Sequence, residues 1–208
     1  MQTFEQLWAY FREEAILSLV EQGYFSQKSF LPADLLDFLA GRSQLLAEKN
    51  LFKEAAIGKG TLKTKDESIR SDEIRWIDEK DLSFDAVQSF LSPLVKLVRQ
   101  ELFLPVKRFE SHFAHYPVGS FYKRHRDRHK NSPSRLLTCV VYLSDMDEAD
   151  GGELVLYPDN GASVKIQPKA GKLVLFKSEL EHEVLLARKD RWSLCSWLRD
   201  DIDNVISI

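Results

Sequence analysis

The sequence predicts a mainly β fold with helical support, an α+β arrangement in which a double-stranded β-helix (jelly-roll) core packs on N-terminal helices. Two observations carry this. Beyond Pro105 the chain holds eight short strand-like runs, separated by turn signals such as Pro117-Val118-Gly119, Gly151-Gly152, Asp159-Asn160-Gly161 and Ala170-Gly171. That spacing reads as a sandwich or jelly roll. Before Pro105 the apolar residues recur mostly at helical spacing, as needed to cover one face of such a core. One domain over 1–208 is expected, with helical support in 1–105, including a mobile loop at about 58–81, and the β core in 106–200.

Taken in order, Phe4, Leu7, Trp8, Phe11, Ile16, Leu19 and Val20 predict one amphipathic helix that Gly23 ends. Tyr24 to Phe30 reads as a short strand. Pro32 stands at a helix start, and Leu35, Leu36, Leu39, Leu45 and Leu46 supply its apolar stripe to about Asn50. From Gly58 the chain turns polar and charged, too poor in apolar residues for a core element. Long polar stretches inside compact domains are often lids or binding loops; a surface loop of no consequence is the alternative. Ile74, Trp76 and Ile77 return the chain to the core as a strand. Phe84 to Phe103 is a third helix, with Pro93 as a kink position.

The strands then follow as VKRFESHFAHY, SFYKRHRD, RLLTCVVYL, ELVLYP, ASVKIQP, KLVLFKS, HEVLLAR and RWSLCSWLR. A net charge of -3 argues against electrostatic attraction of the whole chain to nucleic acid, although the run around Arg124 is locally basic. No stretch approaches the roughly 18 apolar residues of a membrane span, and the N-terminus lacks a signal-peptide pattern. A cytoplasmic protein without a membrane partner is expected, and a monomer. Cys139 and Cys195, far apart and without C-x-x-C spacing, read as reduced core residues with no catalytic part.

The chemistry is expected in YPVGSFYKRHRD, Tyr116 to Asp127. On a strand, His125 and Asp127 would share one face and converge. Two histidines and one carboxylate on one side of Fe(II) form the ligand set of non-haem iron oxygenases, so the pair needs a second histidine. With five histidines in the chain, the pair alone is a weak signal. His112 and His115, three apart, would face opposite ways and read as ordinary, partly exposed residues; His129 reads as solvated. His182 is the better candidate, on a strand able to lie against that of His125. Arg191, across a tight Arg188-Lys189-Asp190 turn, would sit on the neighbouring strand of a hairpin with Ser193 on the same face. A guanidinium inside a dry barrel needs an anion, either a structural partner or a dicarboxylate co-substrate.

These residues resemble the Fe(II) and 2-oxoglutarate dependent dioxygenases, within them the prolyl 4-hydroxylase group, and most closely the hypoxia-inducible-factor prolyl hydroxylases and their bacterial relatives. The resemblance rests on Tyr116, Gly119, Tyr122, His125 and Asp127. It extends to Arg135, Thr138, Cys139, Tyr142 and Leu143, to Gly151-Gly152-Glu153-Leu154, and to Pro168, Phe176, His182, Arg191 and Trp197. Upstream, Ile69 to Ile77 is similar to the end of the mobile substrate loop of those hydroxylases. Ser71 departs from their usual Gly, the Tyr116 to His125 interval is one residue shorter than in the animal enzymes, and Cys195 stands where Thr is frequent.

The resemblance implies that His125, Asp127 and His182 bind iron, with Arg191 and Tyr142 on the far carboxylate of 2-oxoglutarate. Tyr116, and Ser193 beside Arg191, would line that pocket. Tyr122, Arg135, Trp197, Arg70 and Trp76 would face the substrate, and segment 58–81 would close over it. It further implies hydroxylation of a proline in a protein with release of succinate and CO2. Ascorbate is the expected reductant, oxygen sensing an associated role, and a translation factor such as elongation factor Tu a candidate substrate. Two other readings stay open: an oxidative nucleic-acid demethylase on the same scaffold, raised by Lys123, Arg124, Arg126, Arg128 and Lys130, and a non-catalytic jelly-roll binding module.

Overall fold

The computed structural model describes residues 3–55, 68–129, 133–159 and 161–201. The chain opens with a capping box, Thr3 accepting from the Gln6 amide while the Gln6 side chain accepts from that of Thr3, and then runs as α1 (Phe4–Tyr10) and α2 (Arg12–Glu21). The single N-terminal helix expected from the periodicity is thus two. The break falls at Phe11, whose ring packs against Phe25 and Phe30 at 6.2 and 5.2 Å. Gly23, at φ +81°, ends α2, as the sequence predicts.

β1 (Tyr24–Gln27) follows, then α3 (Ala33–Glu48) with Pro32 as its N-cap, β2 (Lys53–Glu54), β3 (Glu73–Ile77) and α4 (Phe84–Glu101), within which Pro93 lies. The latter part of the stretch expected as a loop at about 58–81 includes β3. Residues 56–67 lie outside the described chain, but Arg70 already bridges to Tyr122 and β3 begins three residues later. Asp81 ties α3 to the start of α4: its carboxylate accepts from the Ser83 amide at 3.0 Å and hydroxyl at 2.7 Å, and from the Arg42 guanidinium at 3.3 Å.

The remaining strands are β4 (Arg108–Tyr116), β5 (Tyr122–His125), β6 (Arg135–Tyr142), β7 (Leu154–Tyr157), β8 (Val164–Ile166), β9 (Leu173–Lys177), β10 (Glu181–Val184) and β11 (Arg191–Arg199). They form two antiparallel sheets, a larger one in the order β1-β9-β6-β11-β4-β3-β2 and a smaller one in the order β5-β10-β7-β8. Strand alternation divides the larger sheet's side chains between two cores. Phe113, Leu137, Cys139, Val141, Leu175 and Leu194 pack outward with Trp8, Phe90 and Leu94 of the helices. Ala114, Val140, Tyr142, Val174 and Phe176 face inward, with Leu154, Leu156 and Val184 of the smaller sheet. Helices on one face of a two-sheet jelly roll are the predicted architecture.

One expected connection is different. β10 and β11 do not form a hairpin: β10 pairs with β5 and β7, whereas β11 pairs with β4 and β6. The segment between them crosses from one sheet to the other. Its backbone is held at several points, by Gly152 N–H to Leu186 O at 3.1 Å, Gly119 N–H to Ala187 O at 2.7 Å, Ala187 N–H to Ser120 O at 2.9 Å and Arg188 N–H to Asp150 O at 2.7 Å. Gly151 is needed here, because a Cβ would stand 2.2 Å from Leu186 O.

Candidate metal and co-substrate site

The two sheets diverge around a cavity of about 910 Å³ that reaches from His125, Asp127 and His182 to Arg191 and out to Arg70, Trp76 and Trp197. On the smaller sheet, β10 sets His182 directly opposite His125 of β5. Their ring centroids are 4.2 Å apart. Asp127 lies just beyond the end of β5 rather than on it, a correction to the strand-face argument; the chain bends there and carries the carboxylate back to both rings. Its oxygens stand 3.8 Å from His125 Nε2 and 3.5 Å from His182 Nε2. Among the described residues these three form the one group of His, Cys, Asp and Glu able to hold a metal ion, with ligand atoms within 4.8 Å of one another.

The surroundings suit that use. His125 Nδ1 lies 2.7 Å from Lys123 O and His182 Nδ1 lies 2.9 Å from Leu180 O, so each ring donates at Nδ1 and turns the Nε2 lone pair inward. Burial and the neighbouring His182 hold the His125 pKa low, keeping the ring neutral as a ligand must be. Burial works to raise the Asp127 pKa, but the two imidazoles, Arg135 and the Trp197 indole outweigh it and keep the carboxylate ionised. Thr138 Oγ1 donates to Asp127 Oδ2 at 2.8 Å and contacts Ser178 Oγ at 2.8 Å, fixing the carboxylate's orientation.

The larger sheet supplies the facing wall in rows two residues apart, about 6.8 Å per step. Strand register places Arg191 beside Tyr116; Ser193 beside Ala114 and Tyr142; Cys195 beside His112 and Val140; and Trp197 beside Glu110 and Thr138. At the first row Arg191 is 2% exposed. Its guanidinium lies 4.7 Å from the Tyr116 ring centre and 5.1 Å from that of Tyr142, with Ser193 Oγ at 3.4 Å. No carboxylate of the described residues forms an ion pair with it, and Arg191 Nε and the Tyr142 hydroxyl are buried without hydrogen-bond partners. Burial pushes the Tyr142 pKa up to about 12, so its hydroxyl stays a donor. A buried cation beside an orphaned donor calls for an anion, and a carboxylate fits both. A C-terminal-side glycine shapes this end: a Cβ on Gly152 would meet Arg191 Cδ at 3.1 Å.

At the last row Arg135 stacks on Trp197 at 3.5 Å and donates to Glu110 at 2.9 and 3.1 Å. Arg70 makes a two-pronged pair with Asp72 at 2.6 and 2.7 Å and covers the Tyr122 ring at 4.1 Å. Tyr122 in turn stacks on His125 at 3.5 Å. Trp76, expected to return to the core, is 40% exposed and lines the cavity. Every residue singled out from the sequence for this site therefore borders the cavity or, for Tyr142 and Ser193, lies against Arg191 in its wall. Two were misjudged. Cys195 faces the cavity, where burial raises its pKa to about 11. His112, read as ordinary and partly exposed, is 4% exposed and also lines the cavity. Arg124 and Arg126 of the basic run are drawn to Glu181. His129 is exposed at the rim, and Lys130 lies outside the described residues.

The model of the 2OG-Fe(II) oxygenase superfamily matches residues 111–199, the span from β4 to β11 that carries the cluster and Arg191. A solved Pseudomonas putida prolyl-4-hydroxylase has the same fold at a TM-score of 0.83 and 34% identity, covering 92% of this chain and 100% of that one. The chain belongs to the 2OG-Fe(II) oxygenases. This oxygenase is also similar to a prolyl hydroxylase from Trichoplax adhaerens solved with a hypoxia-inducible-factor peptide fragment. There the TM-score is 0.81 at 25% identity, over 92% of this chain and 90% of that one. Mouse Egl nine homolog 1 is 32% identical over 143 residues, 64% of the oxygenase and 36% of the mouse protein. The oxygenase thus spans about a third of the length of that curated relative. Among its described residues no helix is long and apolar enough to cross a membrane.

Proposed function

We propose that this oxygenase is a peptidyl-prolyl 4-hydroxylase, using Fe(II), O2 and 2-oxoglutarate to hydroxylate a proline in a protein and releasing succinate and CO2. One observation carries the reading: a single cavity holds the His125, Asp127 and His182 donors and, further along its wall, the unpaired buried cation of Arg191. His125, Asp127 and His182 would hold the iron. Arg191 and the Tyr142 hydroxyl would take the far carboxylate of 2-oxoglutarate, with Tyr116 and Ser193 packing beside it. When bound, iron and 2-oxoglutarate supply the oxidising chemistry that inserts oxygen into a C–H bond. The protein's own part is to orient both, to exclude water with Leu154, Val184 and Phe176, and to hold the target carbon beside the metal. Tyr122, Trp197, Trp76 and the ion-paired Arg70 and Arg135 would form the substrate end.

The likeness to the Pseudomonas and Trichoplax prolyl hydroxylases supports a proline in a protein as the target. We place the reaction in the cytoplasm, where the free thiols Cys139 and Cys195 suit a reducing compartment, with ascorbate as reductant, elongation factor Tu as a candidate substrate and oxygen sensing as a candidate role. We read the whole of 1–208 as one domain; residues 58–67 of the loop expected at about 58–81 lie outside the described residues. The test is purified protein with Fe(II), ascorbate and 2-oxoglutarate, assayed for succinate, followed by mass spectrometry of cellular proteins with and without the enzyme. One added oxygen on a proline is the expected result. Oxygen only on other residues, or consumption only of methylated nucleic acid, would overturn the prolyl reading.

A further inference from the structure

The substrate end of the cavity contains one polar group that the assignment above does not use. His112, on β4, sits opposite Trp76 of β3 and Cys195 of β11. Its ring lies between two indoles, 5.1 Å from Trp76 and 5.0 Å from Trp197, while those two rings are 6.0 Å apart. The three make one aromatic shelf on the cavity wall, a single step along the strands from the Thr138 that holds Asp127. His112 is 4% exposed, and its Nδ1 is buried with no hydrogen-bond partner. Burial, with Arg70 and Arg135 nearby, lowers its pKa to about 3, so the ring is neutral at physiological pH. Buried polar atoms in folded proteins are nearly always satisfied, and an orphan lining a cavity points to a partner that arrives with the ligand.

The neighbours narrow what that partner is. Arg70 is committed to Asp72 and Arg135 to Glu110, so neither of the two guanidiniums that act on His112 is free for an acidic side chain. What the shelf offers is two indole faces, the Trp197 Nε1–H, which is likewise buried without a hydrogen-bond partner, and one neutral imidazole. Apolar faces take a ring or an aliphatic surface, and a neutral imidazole takes an uncharged donor or acceptor.

We propose that His112 is a specificity-determining residue that hydrogen-bonds a backbone amide of the substrate next to the target proline while Trp76 and Trp197 hold the adjoining apolar surface. This rests on the prolyl reading of the site. Its consequence is that the enzyme selects peptides by main-chain polarity at one position beside the proline, with no requirement for a charged side chain there.

The test uses the full chain with Fe(II) and 2-oxoglutarate under argon, so that binding is measured without turnover, against a panel of capped X-Pro-Y tripeptides. A second panel has each backbone amide in turn replaced by an ester. His112→Leu is expected to bind the amide panel about tenfold more weakly than wild type, the scale of one neutral hydrogen bond. One ester substitution should cost wild type the same factor and cost His112→Leu nothing. His112→Gln, which keeps a neutral polar end, should recover part of the loss. Affinity for Fe(II) and 2-oxoglutarate should not change, and the melting temperature of His112→Leu should equal or exceed that of wild type because an orphaned polar group has gone. Equal tripeptide binding by wild type and His112→Leu, or a melting temperature several degrees lower in the variant, would overturn this proposal and leave the prolyl reading intact. No binding of any X-Pro-Y peptide by wild type would overturn both.

Discussion

Replacing Thr138 with valine keeps the side chain's shape and deletes one hydroxyl. That hydroxyl is the donor 2.8 Å from Asp127 Oδ2, on a residue only 3% exposed. A hydrogen bond to a charged acceptor contributes about 1.5–3 kcal/mol. At about 1.4 kcal/mol per tenfold, Thr138→Val should weaken metal binding by about 10- to 150-fold. This matches the loss seen when a group orienting a metal ligand is removed, about 10- to 100-fold. Calorimetric titration of Fe(II) or Mn(II) under argon would measure it, with circular dichroism to check the fold. Thr138→Ser, which retains the donor, should stay within a few-fold of wild type. A valine variant with wild-type metal affinity, or a serine variant as weak as valine, would refute the claim that this hydroxyl sets the carboxylate.

Arg191→Leu should raise the KM for 2-oxoglutarate by at least about 100-fold, the scale of two charge-assisted hydrogen bonds, while the ligand-free protein melts no lower than wild type because an unpaired buried charge is removed; steady-state succinate release and thermal melts check the two halves. Gly152→Ala places a methyl 3.1 Å from Arg191 Cδ at a backbone φ of +69°. It should cost about 1–2 kcal/mol of stability, a fall of roughly 2–8 °C in Tm, and affect 2-oxoglutarate affinity more than metal affinity. Asp81 is a pH prediction: burial works to raise its pKa, but Ser83 and Arg42 outweigh this and hold it below its usual 3.8. The stability it contributes is therefore present above pH 3.8 and lost as pH falls through the lower folded value. Asp81→Asn should melt below wild type at pH 7, with the gap closing under acid, as thermal melts across the pH range would reveal.

The strands and helices were legible because alternation and 3.6-residue periodicity follow directly from which faces must be buried. His182 was findable because strand pairing can join residues far apart in sequence. His112 was not, although its spacing from His115 correctly set the two on opposite faces. Spacing does not say which face turns inward, and only the register with Trp76 and Cys195 does. Asp127 reached the right place by a different route from the one expected, a bend after β5 in place of a shared strand face. The N-terminal helix broke at Phe11 through aromatic packing with Phe25 and Phe30, a tertiary contact with no local breaker residue to announce it. Arg188-Lys189-Asp190 has the composition of a hairpin turn, yet it ends a crossing between sheets, because β11 finds its partners in β4 and β6.

That crossing makes the molecule a ruler. His182 ends up on one sheet and Arg191 on the other, and the segment joining them is pinned by backbone hydrogen bonds, accepting from Gly152 and Gly119 and donating to the Ser120 carbonyl. The backbone separation of His182 and Arg191 is consequently set by the two sheets, and the side chains add only their reach. If Arg191 takes the far carboxylate, a keto diacid one methylene shorter or longer than 2-oxoglutarate should bind more weakly. Co-substrate choice in this oxygenase would then be a measurement of carbon-chain length, with the scale set by the pairing of β10 with β5 and β7 and of β11 with β4 and β6.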